Sequence, residues 1–384
     1  MLVLLFAMSL ALITFAYAGY PLLLAIRARL APKPVARAPF TPPLTIVVVG
    51  HNEAAGIAAK IRSCLELRYP PERLRLLVVS DGSTDGMADV VRAATAADSR
   101  VRLLEFAERR GKAACLNDAL AACADEFVLL TDVRQPLDPD AAACLLENFA
   151  DATVGAAGGE LVFRTDDATG FGEGMDAYWR YEKFIREKEG IVGSTVGVSG
   201  ALYALRRALW RPIPPETILD DVMIPMNVVA QGRRVVFDSR AIAFDRPSPT
   251  PARERVRKVR TLAGNFQLVA LRPDLLSPRR NPILFQFVCH KLLRLAVPLA
   301  MLLALACNAL LAAGGGAFWR ALLLAQVAGY AVAIAGLAAP ALCRWLPVKL
   351  IATFVSLNAF VVMGFVDFLR NREAHLWRTQ RGAT

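Results

Sequence analysis

Uncharged apolar runs lie at both ends of the chain, and an alternation of short apolar runs with amphipathic stretches lies between them. Met1–Ile26 contains no charged residue. A helix of about 20 apolar residues spans the hydrocarbon core of a bilayer, so this run predicts a transmembrane anchor. A cleaved signal peptide carries a basic region before its apolar stretch. Here no Lys or Arg precedes the run, and Arg27, Arg29, Lys33 and Arg37 follow it. The positive-inside bias then puts the following segment in the cytoplasm. Three more apolar runs, at 292–313, 318–339 and 348–367, predict C-terminal spans, with turns at Gly314–Gly316 and between Pro340 and Pro347. Asn281–Arg294 reads as a segment in the membrane interface. An outside N-terminus followed by these spans leaves the tail outside, yet Arg370, Arg372, Arg378 and Arg381 favour the inside. The pattern is reconciled if one apolar run is re-entrant or interfacial.

In the middle, Leu44–Val49, Leu74–Ser80, Val101–Glu105 and Phe127–Thr131 are runs of apolar, often β-branched residues at strand length. They alternate with helical stretches at Ala54–Arg68, Asp85–Ala97 and Lys112–Cys123. Such alternation predicts an α/β fold around a mostly parallel sheet with both faces covered. Ligands of such sheets bind beyond the carboxyl ends of the strands. The residues there are His51, Asn52 and Glu53, then Asp81 to Asp85, then Asp132. Acidic groups at several strand ends predict one polar crevice.

Composition changes this picture little. Hydrophobic residues make up 55% of the 384, and their excess lies in the terminal runs. The net charge of +11 is concentrated beside those runs, where anionic lipid headgroups account for it, so nucleic acid is not expected as a partner. The seven cysteines form no CxxC pair and no zinc framework, which leaves buried free thiols as the expectation. There is no G-x-G-x-x-G and no Walker-type loop.

The residues at the strand ends resemble the membrane-bound branch of the family 2 glycosyltransferases, the branch of the chitin, hyaluronan, cellulose and poly-N-acetylglucosamine synthases. Val47–Glu53 is similar to the family's opening strand with its Asn-Glu pair, and Asp81-Gly82-Ser83-Thr84-Asp85 to its D-G-S-x-D element. Gly111-Lys112 through Asn117 is similar to G-K-x-x-A-L-N, Asp132-Val133-Arg134 to Asp-x-Asp, and Asp220-Asp221 to the acidic pair that carries the catalytic base. Gly197–Arg206 resembles the glycine-containing strand behind the acceptor pocket. Tyr178–Glu182 reads either as a sugar platform, as an interfacial helix or as core.

The resemblance implies a GT-A fold and an inverting transfer from a nucleotide-diphosphate sugar, UDP-linked by the family's habit, to a glycan or lipid-linked acceptor at the membrane, in extracellular polysaccharide synthesis. It implies Glu53, Asp81, Lys112 and Asp132 as donor-binding residues and Asp221 as catalytic base. Arg260 and Asp220 are implied at the diphosphate and acceptor. A divalent cation, Mg²⁺ or Mn²⁺, is implied at Asp132, and Arg134 in place of the second Asp weakens that inference. Asp85 reads either as a donor contact or as a helix cap. Arg257-Lys258-Val259-Arg260-Thr261 matches Q-x-x-R-W only at Arg260, which puts processive synthesis in doubt. The competing expectations are a single addition to a lipid carrier and an inactive scaffold in an export complex. The expected organisation is an anchor at 1–26, a Pro-rich linker at 27–43, a cytoplasmic GT-A domain at 44–270, an interfacial segment at 271–294, transmembrane helices at 295–369 and a basic tail at 370–384. Membrane lipids are the remaining expected partner.

Overall fold

The computed structural model describes residues 1–164, 172–246, 250–371, 373, 374 and 376. Arg372, Arg378 and Arg381 of the basic tail lie outside the described residues, as does the side chain of Tyr178.

The strands are β1 (Leu44–Gly50), β2 (Leu74–Asp81), β3 (Val101–Phe106), β4 (Phe127–Asp132), β5 (Val154–Phe163), β6 (Tyr203–Arg206) and β7 (Arg234–Asp245). They form one sheet in the order β3-β2-β1-β4-β6-β5-β7. β1 pairs in parallel with β2 and β4, and β2 with β3. β6 runs antiparallel to both β4 and β5, and β5 and β7 are parallel. All of β1 is buried, because helices cover both faces, and this is why its sequence is a continuous apolar run rather than an alternation. Val47, Val49, Leu77 and Val79 enter one core, while Ile46, Val48, Leu76 and Val78 enter the other. Each such side chain contributes about 1.5–3 kcal/mol on full burial.

The chain order puts the carboxyl ends of β1, β2 and β4 at one edge. The turns there are tied to each other. Asn52 sits at φ 54 and its Oδ1 accepts from the Thr84 amide at 2.8 Å. Asp85 accepts from the amides of Ala54 at 2.9 Å and Met87 at 3.1 Å, so its carboxylate caps and joins the two turns. Gly82 has φ +58, and a Cβ there would lie 2.5 Å from the Arg109 amide nitrogen. Only glycine allows the turn after β2 to lie against the segment that precedes the helix Lys112–Ala122.

Helices long and apolar enough to cross a membrane run at Leu2–Leu30, Leu284–Ala313, Ala317–Ala338 and Leu346–Arg370. They associate the chain with a membrane. The first extends to Leu30, beyond the expected boundary at residue 26, because Arg27 and Arg29 continue its last turn. The second begins at Leu284, inside the segment expected to lie in the interface, and it passes a π-helical turn at Val288–Leu292. The first helix packs on Leu293–Ala313, which packs on Ala317–Ala338, and the last apolar helix packs on Pro251–Leu271. Phe6 meets Trp319 edge-on at 5.5 Å, and Tyr17 meets Phe354 at 5.2 Å. Gly197–Ala201 is a loop rather than the start of β6, since the Val198 amide bonds to the Asp221 carbonyl at 3.0 Å instead of to a strand.

Candidate active site

A cavity of about 1640 Å³ opens beyond β1 and β4 and continues to the apolar helices. Asp132 enters it from the end of β4, and Asp220 and Asp221 from the first turn of the helix Asp220–Ala230. That helix start favours carboxylates, since backbone N–H groups point outward there. Lys112, in the first turn of its own helix, ties the acids together. Its Nζ lies 2.9 Å from Asp132 Oδ1 and 3.1 Å from Asp220 Oδ2. Burial alone would lower the Lys112 pKa, but Asp132 and Asp220 outweigh it and hold the ammonium above its usual range.

Gly200 makes room for the cluster. A Cβ on it would lie 3.5 Å from Lys112 Nζ, 3.7 Å from Asp132 Oδ2 and 3.7 Å from Asp221 Cβ. Gly200→Val therefore projects methyls into the space between these groups. Turnover should fall roughly 10²-fold, the loss expected from misplacing reacting groups by about an ångström, while thermal melting stays near that of the wild type. Unchanged turnover in that variant, measured beside a circular-dichroism melt, would take Gly200 out of the reaction path.

Burial and the adjacent Asp220 raise the Asp221 pKa to about 6, against the opposing pull of Lys112. A carboxylate poised near neutral pH is suited to accept a proton. Arg260 lines the same cavity, and its Nε donates to the Ala374 carbonyl at 3.0 Å. Burial lowers the Arg260 pKa, while Asp220, Asp221 and Asp132 counter that effect. The guanidinium stays charged regardless.

Glu53 also lines the cavity, at the end of β1, and its carbonyl starts the helix Ala54–Leu65. Asp81 does not line it. Its side chain is fully buried and accepts from the backbone amides of Arg110 at 2.6 Å and Gly111 at 2.9 Å. It holds the loop that carries Lys112, so it shapes the site from beneath. Arg134 faces the cavity at the position where the Asp-x-Asp pattern has its second carboxylate. Trp179 and Glu182 line the cavity too, whereas the Tyr181 hydroxyl donates to the Tyr17 carbonyl at 2.9 Å.

Several residues carry no motif and were not found from sequence. Arg109 faces the cavity with Nε and one terminal nitrogen buried and without a hydrogen-bond partner among the described residues. Lys60 is 2% exposed and donates to Thr131 Oγ1 at 2.7 Å and to the Gln135 carbonyl at 2.5 Å, which fixes the turn after β4. The signal for Lys60 was a lysine on the apolar face of its helix. Among the described residues no group of three or more His, Cys, Asp or Glu is placed to hold a metal ion.

The comparisons agree with this geometry. The family profile for glycosyl transferase family 2 matches residues 45–211. The chain is 22% identical over 205 residues to the poly-beta-1,6-N-acetyl-D-glucosamine synthase of Staphylococcus aureus, covering 52% of this chain and 49% of that protein. It is 34% identical over 114 residues to the succinoglycan biosynthesis protein ExoU of Rhizobium meliloti, covering 27% of this chain and 32% of that one. The chain thus spans about half the length of the synthases it matches. A solved structure, the mannosyltransferase PcManGT from Pyrobaculum calidifontis in complex with GDP-Man and Mn²⁺, is similar at a TM-score of 0.72 and 27% identity, over 96% of this chain and 99% of that one. With the strand-end acids, the mixed seven-stranded sheet and the matched profile in agreement, residues 45–211 carry a glycosyltransferase family 2 domain, and the chain has the GT-A fold.

Proposed function

We propose that the protein transfers one sugar at a time from a nucleotide-diphosphate sugar to a lipid-linked acceptor at the membrane, with inversion at the anomeric carbon. The observation that carries this reading is the grouping of Asp132, Asp220, Asp221 and Lys112 around Gly200 inside a cavity that reaches the apolar helices. Arg257 and Thr261, in place of the synthases' Gln and Trp, favour single addition over processive synthesis.

Asp221 takes the proton of the attacking hydroxyl as the new bond forms. Its raised pKa makes it a stronger base than an ordinary carboxylate, yet it is ionised above about pH 6. The leaving nucleotide diphosphate gains charge, and the cations that face the cavity, Lys112, Arg260, Arg109 and Arg134, are set to offset it. Lys112 is anchored by two carboxylates, so its ammonium is held in place before the donor arrives. Glu53, at the end of β1, contacts the nucleoside. Asp81 acts beneath it through the Arg110–Gly111 loop.

Asp132 fits a divalent cation as one hard oxygen ligand. Its Oδ1 is engaged by Lys112, and its Oδ2 faces the open space at Gly200. The other ligands would come from the donor diphosphate and water, as suits Mg²⁺ or Mn²⁺. When bound there, the ion neutralises phosphate charge.

UDP is the nucleotide implied by the synthase resemblance. GDP is the second reading, because the similar mannosyltransferase structure holds GDP-Man. A panel of UDP- and GDP-sugars, with release of nucleotide diphosphate from the detergent-purified chain as the readout, tests both. We expect one donor to be cleaved, and Asp132→Asn to weaken its binding at least about tenfold together with any Mn²⁺ dependence. Absence of cleavage with every donor, in protein that melts cooperatively, would falsify the transferase reading. The arginines and lysine that follow the first span support a cytoplasmic catalytic domain.

A further inference from the structure

Beyond the acidic cluster the cavity changes character. At about 1640 Å³ it exceeds the roughly 300–1,000 Å³ usual for a single small-molecule pocket. Its far walls include Tyr17, Leu295, Leu357 and Val361, supplied by the first, second and last apolar helices. Where these walls meet the catalytic domain stands a group of charges from the helix Gly172–Val192 and the start of the second span. Most are paired. Glu182 pairs with Arg294, and its other oxygen lies 3.1 Å from His290 Nε2. Glu189 lies 3.0 Å from His290 Nδ1 and accepts from the Tyr20 hydroxyl at 2.6 Å. Both carboxylates are therefore consumed.

Two cations of the group remain. Arg186 and Lys291 line the cavity, and neither has an ion pair or side-chain hydrogen bond among the described residues. They lie within electrostatic reach of each other and of Asp221. Lys291 feels Glu182 and Asp221 at a distance, but no carboxylate among the described residues pairs with either cation, so a bound anion would be the first group to join them directly. Asp367 and Glu373 also line this cavity, from the last apolar helix and the segment after it, but neither forms an ion pair with Arg186 or Lys291.

We propose that Arg186 and Lys291 bind the phosphate of a lipid-linked acceptor, whose hydrocarbon chain leaves the cavity between the apolar helices. This rests on the transferase reading above and names the acceptor class for the same site. Lys291 belongs to the second apolar helix, and both cations line the cavity that Asp221 enters, so a phosphate held by the pair would offer its own P–OH to the base. The diphosphate of the donor is left to Lys112 and Arg260, which line the same cavity.

The test uses the full chain in detergent, with farnesyl phosphate, farnesol, inorganic phosphate and the nucleotide diphosphates UDP and GDP as separate probes. Thermal shift and calorimetry read binding to the wild type, to Arg186→Gln, to Lys291→Gln and to the double variant. Farnesyl phosphate should stabilise the wild type, and the double variant should bind it at least tenfold more weakly. Farnesol and inorganic phosphate should be weak in both. The unliganded double variant should melt no lower than the wild type, since it loses only unpaired charge, and Lys291→Arg should retain binding. Equal binding of farnesyl phosphate to the wild type and double variant overturns the proposal. So does inorganic phosphate binding as tightly as farnesyl phosphate through these residues, which marks a free-phosphate site. Loss of nucleotide binding in the double variant, with farnesyl phosphate binding intact, also overturns it by assigning the pair to the donor. If the wild type binds neither UDP nor GDP, the transferase reading fails, and the farnesyl phosphate result still decides the acceptor site by itself.

Discussion

Asp221→Asn abolishes sugar transfer while donor binding survives. The amide keeps the shape of the side chain at the helix start and removes its basicity, so the expected loss is that of a general base, roughly 10²–10⁴-fold. In the wild type the rate should rise with pH through about 6, where the carboxyl ionises, and the residual activity of the variant should lack that rise. Stability gives an independent readout. A carboxyl whose folded pKa exceeds its unfolded value binds its proton more tightly in the native state. Stability therefore falls as pH rises from about 4, the unfolded value, to about 6. Above that range the ionised Asp221 opposes folding, and the Asn variant is relieved of this. It should melt at or above the wild type at pH 7.5. Near-normal turnover by a folded Asn variant would remove Asp221 from the base role.

Lys112→Met carries the second large effect, and it acts on stability and activity together. The ammonium is the shared partner of Asp132 and Asp220, and its loss leaves these carboxylates beside Asp221 without the cation that pairs with them directly. Removing one member of a buried ion pair costs roughly 3–5 kcal/mol. The low end applies here, because the Asp132 side chain is 38% exposed and solvent screens part of the repulsion. Donor affinity should fall as well, since the repelled carboxylates face the diphosphate. Adding Asp132→Asn to Lys112→Met should restore part of the stability. A double variant no more stable than Lys112→Met, by chemical denaturation, would show that the acids do not repel one another as described.

The sheet was legible because β1, β2 and β4 are buried on both faces over nearly their whole length, and such strands have few alternatives to a near-continuous apolar run. The sequence also placed acids at the strand ends, since a side chain that follows a strand has little freedom in which edge it reaches. It could not show which way each acid turns. Asp81 and Asp132 each end a parallel strand, yet Asp81 is captured by the amides of Arg110 and Gly111 and never meets the cavity. That difference depends on a loop far along the chain. Arg186 and Lys291 were beyond reach for the same reason. Each looks like an ordinary helix-surface cation until helices distant in sequence close around a recess. Arg109 precedes a recognisable motif by one residue pair, but nothing in its spacing separates it from Arg110, whose guanidinium instead pairs with Asp118 at 2.7 Å.

The hydrogen bond from Arg260 to Ala374 has a bearing on how the chain threads the bilayer. The helix that carries Arg260 is fastened to the catalytic domain through Gln267, whose side chain bonds both the Ile218 amide and the Glu216 carbonyl. A polypeptide that departs from this helix and is back beside it at Ala374 must traverse the lipid an even number of times in between. Yet three apolar helices lie on that path. The last one has Gly364 against Val259–Ala263 and Phe365 against Phe266 at 5.1 Å, so its second half rides on the domain rather than leaving it. An out-and-back excursion by the other two, with the final helix lying along the near leaflet, would bring Ala374 back to the side that Pro251–Leu271 occupies.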